Sequence, residues 1–184
     1  MKVLAKDLYK TLRESLGPEL KAAGLRRLKM GMLGWTRPCK DKHLSVWFQS
    51  DRWGWFPDFG SSFTIEFQID NVAGIGGSLM FGRARFMSLL SAEEREVVRS
   101  INNRILASIP PISPESPIAL LGDKLQEGFL SSYRLSPEPY DPSQDVWLHY
   151  RRPENVAEWG DFFKPRMLRM IQQFESEFPK EYAS

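Results

Sequence analysis

This 184-residue sequence carries one cysteine, two histidines and a net charge of only +2. A single thiol, Cys39, excludes an intrachain disulfide and cannot assemble a cysteine zinc site. It sits beside Pro38 with no base placed to activate it, so it reads as an incidental thiol rather than a nucleophile. His43 and His149 are far apart in sequence and fall in no HxxxH or ExxH pattern, so no metal centre is expected. Long hydrophobic runs are also missing: nothing approaches the roughly 18 uncharged apolar residues of a membrane helix. The opening MKVLAKDLYK meets Lys6 and Asp7 before an apolar run forms, which argues against a secretory leader. There is no GxSxG, no GK[ST], no internal repeat and no low-complexity tract. Gly74, Gly76 and Gly77 resemble a phosphate-binding glycine loop. The sixth position of that fingerprint is Leu79, however, and no helical pattern follows, so a hairpin turn is the reading. Together these absences predict a cytoplasmic protein without cofactor, in a reducing compartment.

What is present fits one ordinary domain over residues 1–184, with 42% hydrophobic and 26% charged residues. Charge is uneven. Residues 1–60 hold 12 Lys+Arg against 6 Asp+Glu, a balance of +6, and the remainder is −4. Leu4, Leu8, Leu12 and Leu16 form one helical stripe, interrupted at Gly17-Pro18, where Pro18 can open another turn. Gly24 fits the left-handed position past a helix end, with Leu25 as its apolar contact. Arg26 to Arg37 alternates as a strand weakened by Gly31 and Gly34, with Leu28, Met30 and Met32 on one side. Leu44–Ser50 and Phe63–Ile69 are the clearest strands. Phe63, Ile65, Phe67 and Ile69 should point inward, and Thr64, Glu66 and Gln68 outward. Ser78 to Phe86 adds a further strand.

Ser91 and Glu94 form a capping box ahead of a helix with Val97, Val98, Ile101, Ile105 and Leu106 on its apolar face. Prolines from Pro110 end it, and a short helix is expected over residues 118–133, with Leu121, Leu125 and Phe129 at intervals of four. Val146–Arg152 alternates again, and helix follows from Pro153, broken at Pro165, with Met167, Ile171, Phe174 and Phe178 as the last apolar face. Strands gathered early, without βαβ alternation, predict an α+β fold: an antiparallel sheet with N-terminal, middle and C-terminal helices packed on one face.

Three groups of residues carry binding chemistry. The first is the connection between the two clear strands, which holds Asp51, Arg52, Trp53, Trp55, Asp58 and Phe59. Large aromatics in a loop either fold back onto the core or wait for a partner. The second is the polar side of the strands, where Trp47 and Trp147 can share a face with Gln49, Glu66 and His149. Such a mixed face is either a ligand site or a core covered by helix. The third is Arg83 and Arg85 on one side of a strand, which either offer paired forks to an anion or guard a strand edge.

Short motifs resemble a bacterial family of uncharacterised proteins, the domain-of-unknown-function family four-three-zero-four. They are GPELKAAGLRR (Gly17 to Arg27), VWFQSDR (Val46 to Arg52), FTIEFQI (Phe63 to Ile69) and VWLHY…VAEW (Val146 to Trp159). Leu25 stands where that family usually has Phe. The resemblance implies an α+β fold and carries no catalytic residue. No catalytic constellation is legible, so the leading expectation is a non-enzymatic protein that binds a protein or small ligand, with Trp53, Trp55 and Phe59 as anchors and Asp51 and Arg52 at the rim. The alternatives are single-stranded nucleic-acid binding through the basic first third with Trp47, Trp53 and Trp55, and a small hydrolase-type enzyme using Asp51, Asp58 or His149 in a cleft.

Overall fold

A computed structural model describes residues 2–29, 31–52, 54–74, 80–111 and 145–177, with scattered positions between 113 and 141. Among the described residues, six strands form one antiparallel sheet flanked by four α-helices, the α+β arrangement that the sequence predicts. The strands are β1 (Arg26–Arg27), β2 (Leu33–Cys39), β3 (Lys42–Ser50), β4 (Ser61–Asp70), β5 (Met80–Arg85) and β6 (Leu148–Tyr150). The helices are α1 (Ala5–Ala22), α2 (Ala92–Ala107), α3 (Pro153–Phe163) and α4 (Met167–Glu177), with a 3₁₀ turn over Phe86–Leu89. Met30, Trp53, Gly76, Gly77, Phe178 and the Leu121, Leu125 and Phe129 stripe of the expected short helix lie outside the described residues.

Strands β1 to β4 follow one another as antiparallel neighbours. The outer edge of β4 is then shared. Strand β5 pairs with Glu66–Asp70, and β6 pairs with Ser61–Phe63. Strand β4 is therefore flanked on both sides over most of its length, and all ten of its residues are buried. This corrects the expectation that Thr64, Glu66 and Gln68 face outward, since both faces of the strand are covered. A strand flanked on both sides makes the sheet wide enough for this.

The apolar face carries Leu44, Val46 and Phe48 of β3 and Phe63, Ile65 and Phe67 of β4 into one core with α1 and the two last helices. Leu8, Leu12, Leu16 and Leu20 are fully buried. Each buried leucine is worth roughly 1.5–3 kcal/mol, so this stripe fixes α1 on the sheet. Leu4 is the N-cap and is 37% exposed, so the stripe begins one turn later than the sequence suggests. The helix also runs unbroken through Pro18. A proline there removes one backbone donor, but Leu16 and Leu20 on either side are anchored in the core and hold the axis. Gly24 has φ +80° and donates to the Lys21 carbonyl at 2.9 Å, while Leu25 N–H reaches Leu20 O at 3.0 Å. The helix thus ends as its sequence indicates.

Arg26 to Arg37 is two strands rather than one. Arg26 pairs with Thr36 and Arg27 with Trp35 around a bend, and the Arg27 guanidinium donates to the Leu28, Met32 and Gly34 carbonyls to close it. The Ser91 cap forms as predicted: Glu94 N–H donates to Ser91 Oγ at 3.2 Å, and Ser91 N–H to Glu94 Oε2 at 3.0 Å. Val98, Ile101 and Ile105 are buried on that helix, but Val97 is 43% exposed and Asn102 takes a buried place. Asn102 accepts a hydrogen bond from the His149 backbone at 2.8 Å, which ties α2 to β6.

Candidate binding face of the sheet

The second face of the sheet is built from polar residues at alternating positions, and the register sets them in rows. Thr36 lies beside Ser45, Ser45 beside Gln68 and Gln68 beside Arg83. The next row runs from Gly34 to Trp47, Glu66 and Arg85, and beyond it Gln49 faces Thr64. Ser62 pairs with His149 at the end. Thr36, Ser45, Thr64, Glu66, Gln68, Asp70 and His149 are all 2% exposed or less. Buried polar groups are costly without partners, and most of these have them. Thr36 Oγ1 donates to Leu44 O and accepts from Ser45 Oγ, which also accepts from Gly74 N–H. Gln68 donates to Asp70 at 3.0 Å.

Glu66 is the centre of charge on this face. Its side chain is fully buried and its carboxylate is gripped by Arg83 through Nε and by Arg85 through Nη2, the latter at 3.2 Å. Asp145 pairs with the same Arg85. The Arg83 guanidinium lies 6.0 Å from the centre of the Trp47 ring, and that of Arg85 lies 5.7 Å from the Trp147 ring. Two arginines are thus fixed by one buried carboxylate, each against an indole. The hydrogen bond that Arg83 donates to Glu66 holds its guanidinium above its ordinary pKa, whereas burial pushes Arg85 below its own. The Arg83 side chain remains 41% exposed and that of Arg85 25%. Trp47 Nε1 and Thr64 Oγ1, like Glu66 Oε1, are buried without a hydrogen-bond partner among the described residues.

His149 serves the neighbouring loop. Its Nε2–H donates to the Phe59 carbonyl, and its own carbonyl accepts from Trp159 Nε1 at 2.8 Å. Burial drives its pKa from 6.5 down to about 4, aided by Arg151 and opposed by the Phe59 bond and by Asp51. The ring is therefore neutral at pH 7. The loop closes on itself where Phe56 and Gly60 exchange backbone hydrogen bonds at 2.7 and 2.8 Å. Asp51 N–H donates to Ser62 O at 2.9 Å, and Ser62 Oγ donates to the Asp51 carboxylate at 3.4 Å.

The predicted site residues therefore divide. Trp47, Gln49, Arg83, Arg85, Trp147 and His149 come onto one side of the sheet together with Glu66. In the loop, Phe59 is 2% exposed and stacks on Phe56 at 4.7 Å, so the fold itself takes up that proposed anchor. Trp55 is half-buried against the core, Asp51 is half-buried and Arg52 is exposed, while Trp53 lies outside the described residues. The exposed Lys6, Lys10 and Arg13 line up on α1, whose leucines pack on the apolar face of the sheet, while Trp47 is on the other face. Arg83 and Arg85, by contrast, lie against Trp47 and Trp147. Beside α1, a cavity of about 330 Å³ near Pro153 balances Lys2 and Lys10 against Asp7 and Glu14. Sequence reasoning missed Thr64 and Asp145. Thr64 shares the parity of Glu66, which is the signal that pointed to it. Among the described residues, no group of three or more His, Cys, Asp or Glu is placed to hold a metal ion, and no helix is long and apolar enough to cross a membrane. No protein-family model matches this chain, and no curated protein or solved structure matches it either.

Proposed function

We propose that this chain is a non-enzymatic binding protein of the cytoplasm whose contact region is the polar side of the sheet at Trp47, Glu66, Arg83, Arg85 and Trp147. One observation carries the reading: the fully buried Glu66 fixes two part-exposed arginines, each against an indole. Guanidiniums held in this way lose little side-chain freedom when they meet a ligand, so the site is preorganised. The mixture of aromatic surface and a few fixed polar groups suits a small ligand or an exposed side chain of a partner. The loop from Asp51 to Gly60 is braced by His149, whose Nε2–H donates to the Phe59 carbonyl. The kinship to family four-three-zero-four that the short motifs suggest is part of the same proposal.

A panel of small anions, amines, sugars and nucleosides, followed by tryptophan fluorescence and thermal shift, tests the reading. At least one compound should stabilise the wild type, and Arg83→Ala and Trp147→Ala should abolish that effect while remaining folded. A panel without any hit, or hits indifferent to both substitutions, refutes it.

A further inference from the structure

We infer that the ligand of this face presents an oxyanion, a carboxylate or a phosphate group, to the Trp47 indole N–H, the Thr64 hydroxyl and the Arg83 guanidinium. Resting on the binding reading above, this names the chemistry of its ligand. Trp47 is 5% exposed and its Nε1 is buried without an acceptor among the described residues. An indole nitrogen only donates, so the missing partner is an acceptor. The Thr64 side chain is fully buried and its hydroxyl is likewise unpartnered among the described residues. The two are neighbours by register. Trp47 stands opposite Glu66, and Thr64 lies two residues along β4 on the same face. Such diagonal pairs have Cβ atoms roughly 7–8 Å apart or less, a span that one polyatomic group bridges.

Glu66 is paired with both arginines and Asp145 with Arg85, although Glu66 Oε1 is buried without a hydrogen bond of its own. Arg83 meets Glu66 with Nε alone, which leaves its two terminal nitrogens to a second acceptor. A guanidinium beside two neutral donors favours a charged oxygen over a carbonyl, because charge-assisted hydrogen bonds are about twice as strong. Water in the same place satisfies the two neutral donors but makes no use of the charge.

The test titrates the full chain with inorganic phosphate and with glutarate at constant ionic strength, with glucose and methylammonium as controls, and reads tryptophan fluorescence and thermal midpoint. One of the anions should saturate, phosphate marking a phosphate ligand and glutarate a carboxylate. Trp47→Phe and Thr64→Val should each weaken it by about three- to tenfold, the worth of a neutral hydrogen bond, and Arg83→Gln by about tenfold or more. Thr64→Val should fold at least as stably as the wild type without anion, because it removes only an unpartnered hydroxyl. Failure of both anions to saturate, or saturation unaffected by all three substitutions, overturns the inference. If glucose or methylammonium binds in an Arg83-dependent way while both anions fail, the oxyanion falls and the binding face stands.

Discussion

Lowering the pH from 7 to 5 should cost this protein about 2 kcal/mol through His149 alone. The imidazole titrates near 6.5 in the unfolded chain and at about 4 in the fold, because burial opposes its charge. At pH 5 about 97% of unfolded chains carry the proton and about a tenth of folded ones do. The unfolded state therefore binds more protons between pH 6.5 and 4. Stability rises with pH across that window, is lost as pH falls through it, and levels off below about 4. Other carboxylates also titrate on this path; Glu94, for instance, lies below its ordinary value, as the Ser91 N–H and Arg169 outweigh its burial. A difference experiment separates them. His149→Gln keeps an N–H for the Phe59 carbonyl but cannot be charged. Urea denaturation of both proteins at pH 7, 6 and 5 should show the wild type losing about 2 kcal/mol more than the variant between the extremes. Equal losses would falsify the buried neutral histidine, and with it the account of how the loop is braced.

Two further changes probe the same architecture. Gly60→Ala should destabilise by about 3 kcal/mol or more. Gly60 has φ +88° and a Cβ there would stand 2.2 Å from the Tyr150 carbonyl, so β4 and β6 would have to part. A loss below about 1 kcal/mol in urea denaturation contradicts that close approach. Ser91→Ala should remove about 1 kcal/mol with the Oγ acceptor of the Glu94 N–H. That amounts to a fall in the thermal midpoint of about 2–4 °C, and an unchanged midpoint means the cap is not formed in solution.

Much of the fold is legible locally. Periodicity of four set the buried leucines of α1, alternation set the two long strands, and Ser91 with Glu94 set the start of α2, because each signal is complete within a few residues of chain. The same local reading failed at Gly17-Pro18, where core contacts of Leu16 and Leu20 outweighed a helix-breaking pair, and at Arg26–Arg37, where a bend divides one alternating run into a hairpin. The candidate site was legible only as parts. Trp47 with Gln49 and Arg83 with Arg85 could each be assigned to one side of a strand, but not Glu66 to the two arginines. Sequence alone determined which residues alternate and which helices cap. Tertiary structure decided that β5 and β6 share the edge of β4, which buries a strand of half-polar pattern on both faces and gathers its charge around Glu66. It also decided that Phe59 belongs inside and that His149 stays neutral. Periodicity is a property of neighbours in the chain, whereas burial and pairing depend on which distant strand comes to lie alongside.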